Sequence, residues 1–124
     1  MPNARIRHIA ILTENVEKLV RFYTEGFGMK IVEGIGTATY VSDGHINLAI
    51  IPIGPERLIE GPQLATGINH IGFEVDDVGA IRDSCDGLNA AGEVRKRPPN
   101  REAEFRLHDP DGNPIDLSAH GWPH

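Results

Sequence analysis

The chain has 124 residues, 40% hydrophobic and 24% charged, with a formal net charge of −6 at pH 7, enough for one domain with a real core. The acidic balance excludes a phosphate-gripping nucleic-acid surface, which wants a basic stripe. One cysteine, Cys85, excludes an internal disulfide framework; no apolar run can cross a bilayer, and Met1-Pro2-Asn3-Ala4-Arg5 lacks the apolar stretch of a secretory signal, so a cytoplasmic protein is expected.

In chain order, Ile6 to Leu12 reads as a strand around His8. Glu14-Asn15 can cap a helix in which Val16, Leu19, Val20 and Tyr23 recur at helical spacing, stopping by Gly26 with Gly28 beyond. Strands are expected over Met29–Glu33, Thr37–Ser42 and Ile46–Ile53, the last two joined by the Asp43-Gly44 turn. Residues 54–67, with Gly54, Pro55, Gly61, Pro62 and Gly67, read as a linker. The order then repeats: a strand over Ile68–Val75, a helix from Val78 to about Ala91 with Ile81 and Leu88 on one face, and strands over Val94–Arg97, Glu102–His108 and Pro114–Ser118. His120-Gly121-Trp122-Pro123-His124 reads as an irregular tail.

The two halves match in letters as well as in order. Arg7-His8-Ile9-Ala10-Ile11 corresponds to Asn69-His70-Ile71-Gly72-Phe73, and Asp43-Gly44-His45-Ile46-Asn47-Leu48 to Asp111-Gly112-Asn113-Pro114-Ile115-Asp116-Leu117. The expected fold class is therefore α+β: two tandem βαβββ units, about 4–53 and 68–119, forming a cupped mixed or antiparallel sheet in a single domain. Side chains alternate across a strand. Ile9 and Ile11, Ile71 and Phe73, Ile115 and Leu117 share the greasy faces that must pack on helices. The opposite face then presents His8, Asn47, His70 and Asp116 at corresponding slots of two copies, with small neighbours (Ala10, Gly72, Ala49, Ser118) leaving a hollow before them.

Two βαβββ units, a histidine on the first strand of each, and an acid just after Asp109-Pro110-Asp111-Gly112-Asn113-Pro114-Ile115 resemble the vicinal oxygen chelate superfamily. That superfamily includes glyoxalase I, extradiol dioxygenases, methylmalonyl-CoA epimerase, fosfomycin-resistance enzymes and bleomycin-resistance proteins. The resemblance covers essentially the whole chain. It implies metal ligands at His8, His70 and Asp116, with Asn47 in the fourth slot; many relatives carry glutamate where Asp116 stands. His45 could serve instead if the register slips by two. Two neutral imidazoles and one carboxylate suit one divalent ion: Fe, Mn, Zn, Ni or Co.

Around that centre, Glu74 and Glu104 are candidates for a catalytic acid or base, and Arg106 for gripping an anionic group; a solvated sheet edge or an internal ion pair is the plain alternative for each. Tyr40 either donates a hydrogen bond to substrate or packs. Arg95, Lys96, Arg97 and Arg101 around Pro98-Pro99-Asn100 form a basic cluster best read as a solvated loop. His120 and Trp122 fold over the site, reach a partner subunit, or lie in a disordered tail. Cys85, without a partner motif, reads as a packing residue. The resemblance implies an enzyme that holds a small molecule through neighbouring oxygens. A glyoxalase-like lyase or isomerase leads, an Fe(II) extradiol-type dioxygenase follows closely, and a metal-free small-ligand binding protein of the antibiotic-resistance type is the alternative from another class. A homodimer is implied by the resemblance alone; neither nucleic acid nor membrane is expected as a partner.

Overall fold

The computed structural model describes residues 3–33, 38–53, 66–88, 95–97 and 102–124. Its elements are β1 (Ala4–Thr13), α1 (Val16–Phe27), β2 (Lys30–Val32), β3 (Thr39–Ser42), β4 (Asn47–Pro52), β5 (Gly67–Val75), α2 (Val78–Cys85), β6 (Arg95–Lys96), β7 (Phe105–His108) and β8 (Pro114–Ser118). The order is βαβββ twice, as the repeat in the sequence requires. The chain packs as two compact units, one formed by Met1–His8 and His70–Trp122, the other by Ile9–Asn69 and Pro123–His124. We call them the histidine unit and the asparagine unit, after the polar residues each buries.

In the asparagine unit the strand order is β2-β3-β4-β1. The turn between β3 and β4 is held by Asp43, whose Oδ1 accepts from the backbone N–H of His45 and of Ile46, both at 2.8 Å. Gly44 takes φ +95°, a conformation that favours glycine there. The hairpin sets Ser42 opposite Asn47 and Tyr40 opposite Ala49. Asn15 caps α1 by accepting from Lys18 N–H at 3.0 Å. The helix runs through Gly26 and stops only at Gly28, whose left-handed backbone (φ 71°) closes the last turn. Its apolar stripe (Val16, Leu19, Val20, Tyr23) covers Val41, Leu48 and Ile50 together with Ile9 and Ile11. On the other face Ala10, Tyr40 and Ala49 form a smaller buried cluster.

In the histidine unit the order is β1-β5-β8-β7-β6. Here the sheet is mixed: β8 runs parallel to β5 and antiparallel to β7. Asp77 caps α2 by accepting from Ala80 N–H at 3.2 Å. Phe73, Val78, Ile81 and Ile115 pack on Val75, Leu107 and Leu117. This helix is shorter than its periodicity suggests. It ends at Cys85, where Asp86 N–H turns back onto Arg82 and Asp83 carbonyls and Gly87 takes φ +81°; residues 89–91 lie outside the described residues.

Strand edges also differ from expectation. β7 begins at Phe105 rather than Glu102, because Ser118 Oγ takes the Glu102 carbonyl (2.8 Å) and the strand ladder starts only beyond it. Thr37, Val94 and residues 54–65 of the expected linker lie outside the described residues. Among the described residues no helix is long and apolar enough to cross a membrane.

Candidate functional site

The site grows from the ladder of the histidine unit. The Asp109–Asn113 turn feeds β8 in a fixed register: Asp109 Oδ1 accepts from Asp111 N–H (3.0 Å) and Asn113 N–H (2.8 Å), and its other oxygen from Asn113 Nδ2 (2.8 Å). β8 then places Asp116 beside Gly72 of β5 and opposite Arg106 of β7. Directly opposite residues share a face, so carboxylate and guanidinium meet. Arg106 Nε donates to Asp116 Oδ1 at 2.6 Å and Nη2 to Oδ2 at 3.2 Å. This is a two-pronged, charge-assisted pair, with both residues under 5% exposed.

His70, two residues before Gly72 on the same face, comes next. Its Nε2 lies 3.3 Å from Asp116 Oδ2 and 3.2 Å from His8 Nε2. Both histidines are buried. Arg106 Nη2 also sits 3.3 Å from His70 Nδ1. A guanidinium only donates, so in this arrangement Nδ1 accepts and the proton of a neutral His70 sits on Nε2. Burial, chiefly, drives the His70 pKa down to about 3, with Arg106, His8 and Arg97 adding to the drop and Asp116 opposing it. The imidazole is therefore neutral at physiological pH. Burial pushes the Asp116 carboxyl up, but His70, the Arg106 hydrogen bonds and the charges of Arg106 and Arg97 outweigh it and hold the group below the ordinary carboxylate range.

Two imidazoles and a carboxylate are the right donor kinds for a divalent transition ion. Metal–ligand bonds of about 2.1 Å put neighbouring donors roughly 3.0–3.4 Å apart, and the spacings of 3.2 and 3.3 Å match. The donor kinds fit, but the three donors are not gathered into a cage. Among the described residues no trio of His, Cys, Asp and Glu forms a ready cation cage, and Asp116, the third donor, is turned onto Arg106.

The other candidates fall elsewhere. Asn47 is fully buried in the asparagine unit, where its Nδ2 donates to the Pro123 carbonyl at 2.7 Å. Tyr40 is packed against Ala10 and Ala49. His45 lies exposed in the β3–β4 turn, off the buried face, so it does not stand in for Asn47. Glu74 is paired with Arg5 (2.8 Å), and Glu104 accepts from Ala119 N–H and pairs with His120 Nδ1, both at 2.9 Å. Arg106 is committed to an internal pair rather than offered at a mouth. In the basic cluster Lys96 is exposed, but Arg97 is buried and its charge reaches both His70 and Asp116, against the solvated-loop reading; residues 98–101 lie outside the described residues.

The sequence alone does not fix the role of Trp122. Its indole is 5% exposed and lies flat on the His8 ring, centroids 4.6 Å apart and planes 4° from parallel. The irregular tail is thus ordered packing. Gly72 was the available signal. A Cβ there would come within 2.5 Å of the indole and 2.9 Å of His8 Cβ.

A family model described as Glyoxalase/Bleomycin resistance protein/Dioxygenase superfamily matches residues 5–117. Among curated proteins, a probable lactoylglutathione lyase from Vibrio parahaemolyticus is 30% identical over 94% of this chain and 91% of its own length. A second, from Vibrio cholerae, is 26% identical over 100% and 96%. Homoprotocatechuate 2,3-dioxygenase from Brevibacterium fuscum shares the fold with a TM-score of 0.70 at 19% identity, over 99% of this chain and 39% of that one. Methylmalonyl-CoA epimerase from Mycobacterium tuberculosis does so with 0.62 at 17% identity, over 90% and 85%. With its doubled βαβββ order and a family match across nearly its whole length, the chain belongs to the Glyoxalase/Bleomycin resistance protein/Dioxygenase superfamily.

Proposed function

We propose that this is a divalent-metal-dependent enzyme that takes a small substrate by two neighbouring oxygens, with His8, His70 and Asp116 as the metal ligands. The observation that supports the reading is a pair of contacts on His70 Nε2, 3.2 Å to His8 Nε2 and 3.3 Å to Asp116 Oδ2, with His70 kept neutral by burial. A bound ion supplies Lewis-acid stabilisation of the oxyanion that develops on the substrate. The chain's own residues do the rest. Arg106 holds Asp116 Oδ1 and so orients the carboxylate, as outer partners of metal ligands do. Loading requires Arg106 Nη2 to withdraw from His70 Nδ1, so that the ring can carry its proton there and present a bare Nε2. The metal-free protein is predicted to be the arginine-locked form.

The reaction we favour is a glyoxalase-like lyase or isomerase step, in keeping with relatives described as probable lactoylglutathione lyases. Asn47 cannot ionise, so the proton would move through Glu74 or Glu104, released from Arg5 or His120. The second reading is an Fe(II) extradiol-type dioxygenase. Two histidines and one carboxylate without a fourth ionisable ligand favour it, as does the fold shared with the homoprotocatechuate enzyme. A homodimer in the cytoplasm completes the proposal.

Protein loaded separately with Zn(II), Ni(II), Mn(II) and Fe(II) should be assayed against 2-oxoaldehyde–thiol adducts, acyl-CoA esters and catechols. Turnover of an adduct or ester, lost in Glu74→Gln or Glu104→Gln, supports the first reading. Oxygen-dependent ring cleavage of a catechol by the Fe(II) form selects the second. Binding without turnover, undiminished in His8→Ala, replaces both with a metal-free binding module.

A further inference from the structure

The C-terminal tail is built into the histidine unit by a specific turn and a notch in β5. Gly121 takes φ +80°, a left-handed conformation that favours glycine, and a Cβ there would also require the Glu74 carboxylate to move. Its N–H donates to Ser118 Oγ at 2.9 Å, and Ser118 is fully buried. This turn delivers the indole of Trp122 into the notch that Gly72 leaves open, flat against His8. Two glycines and a serine therefore converge on a single contact. An imidazole stacked on its face is restrained from turning about its ring bond, while its Nε2 edge meets His70 Nε2 at 3.2 Å.

We propose that Trp122 is a positioning residue: its indole clamps the His8 ring so that Nε2 faces His70 Nε2, making the last residues of the chain part of the site. The idea deepens the metal-site reading and rests on it only for what His8 holds. Side-chain torsions of histidine are broad about the ring bond, and without a flat surface against it the His8 ring samples orientations that point Nε2 away. Ring stacking then orients a ligand as hydrogen-bonded outer partners do, and the loss of those costs roughly ten- to a hundredfold in metal affinity.

The test compares Trp122→Phe, which keeps a flat face, with Trp122→Leu, which fills the notch without one. In metal-free protein, the contact between the His8 and His70 rings is read by proton NMR. Zn(II) affinity is read separately by competition with a chromophoric chelator, with His8→Ala as the reference. The proposal expects the ring contact and the affinity to survive in the Phe variant. In the Leu variant the contact should vanish and Zn(II) affinity fall roughly ten- to a hundredfold, although the variant remains folded by circular dichroism. A Leu variant that keeps both properties overturns it, showing that Trp122 only fills space, and so does a Phe variant that loses both. If the unmodified protein takes up no Zn(II), the metal reading fails, and the ring contact alone decides for or against the clamp.

Discussion

The two ladders that carry the buried polar residues are built alike and filled differently. In the histidine unit β7 and β8 place Arg106 across from Asp116; in the asparagine unit β3 and β4 place Ser42 across from Asn47. The first pair is ionic and two-pronged. The second is neutral: Ser42 Oγ accepts from Gly44 N–H at 2.9 Å, and Asn47 Nδ2 donates to Pro123 O at 2.7 Å. The histidine unit buries groups of the kind that can ligate or carry charge. In the other, the same slots carry neutral polar groups beside a packed cluster of Ala10, Tyr40 and Ala49. The same cross-strand pairing is filled with charge in one unit and with neutral groups in the other.

The sharpest way to break this comparison is to remove one member of each pair. Arg106→Ala strands a buried carboxylate, and a buried pair cut on one side costs about 3–5 kcal/mol. Denaturant unfolding should show that loss, and Zn(II), by replacing the missing cation beside Asp116, should restore more stability to this variant than to the unmodified protein. If Arg106→Ala is instead as stable as the parent, the ionic pair does not organise the site.

The pH dependence of stability comes next. His70 is neutral in the folded protein down to about 3, whereas in the unfolded chain it takes up a proton near 6.5. Between those values the unfolded state binds more protons, so stability rises with pH across that window and is fully present above it. Asp116, held low by its partners, adds a loss in the same direction at the acid end. His70→Gln should flatten the slope; an unchanged profile would mean that other groups set it.

Gly72→Ala drives a Cβ into Trp122 and His8. Overpacking of this kind costs roughly 1–3 kcal/mol. Because Trp122 is the chain's one tryptophan, its emission should shift to the red as the indole is pushed toward water, and an unshifted spectrum would show that the notch can relax. Ser42→Ala is the mildest change, about 1 kcal/mol for one hydrogen bond. A loss as large as that of Arg106→Ala would erase the contrast between the copies.

Much of this was legible in the residues. Period-two alternation puts His8, His70 and Asp116 on faces opposite Ile9, Ile71 and Ile115, and caps and turns mark most element ends, since local chemistry decides both. What could not be read depends on contacts distant in sequence. That Arg106 lies across from Asp116 follows from the β7–β8 register, which is set by the Asp109 turn and not by either residue alone. That Trp122 reaches His8 follows from a left-handed Gly121 and a missing Cβ at Gly72. That α2 stops at Cys85 reflects Asp86 and Gly87 overriding a stripe that continues to Leu88 in letters only.

In the proposed enzyme His8 and His70 share one cation. This sharing is tested most directly by loading the protein with Co(II) or Zn(II), dialysing it exhaustively and counting bound metal by mass spectrometry. About one ion per chain is expected in the unmodified protein and none in either His8→Ala or His70→Ala. A protein that dialyses metal-free, or a His8→Ala variant that keeps its ion, would contradict it.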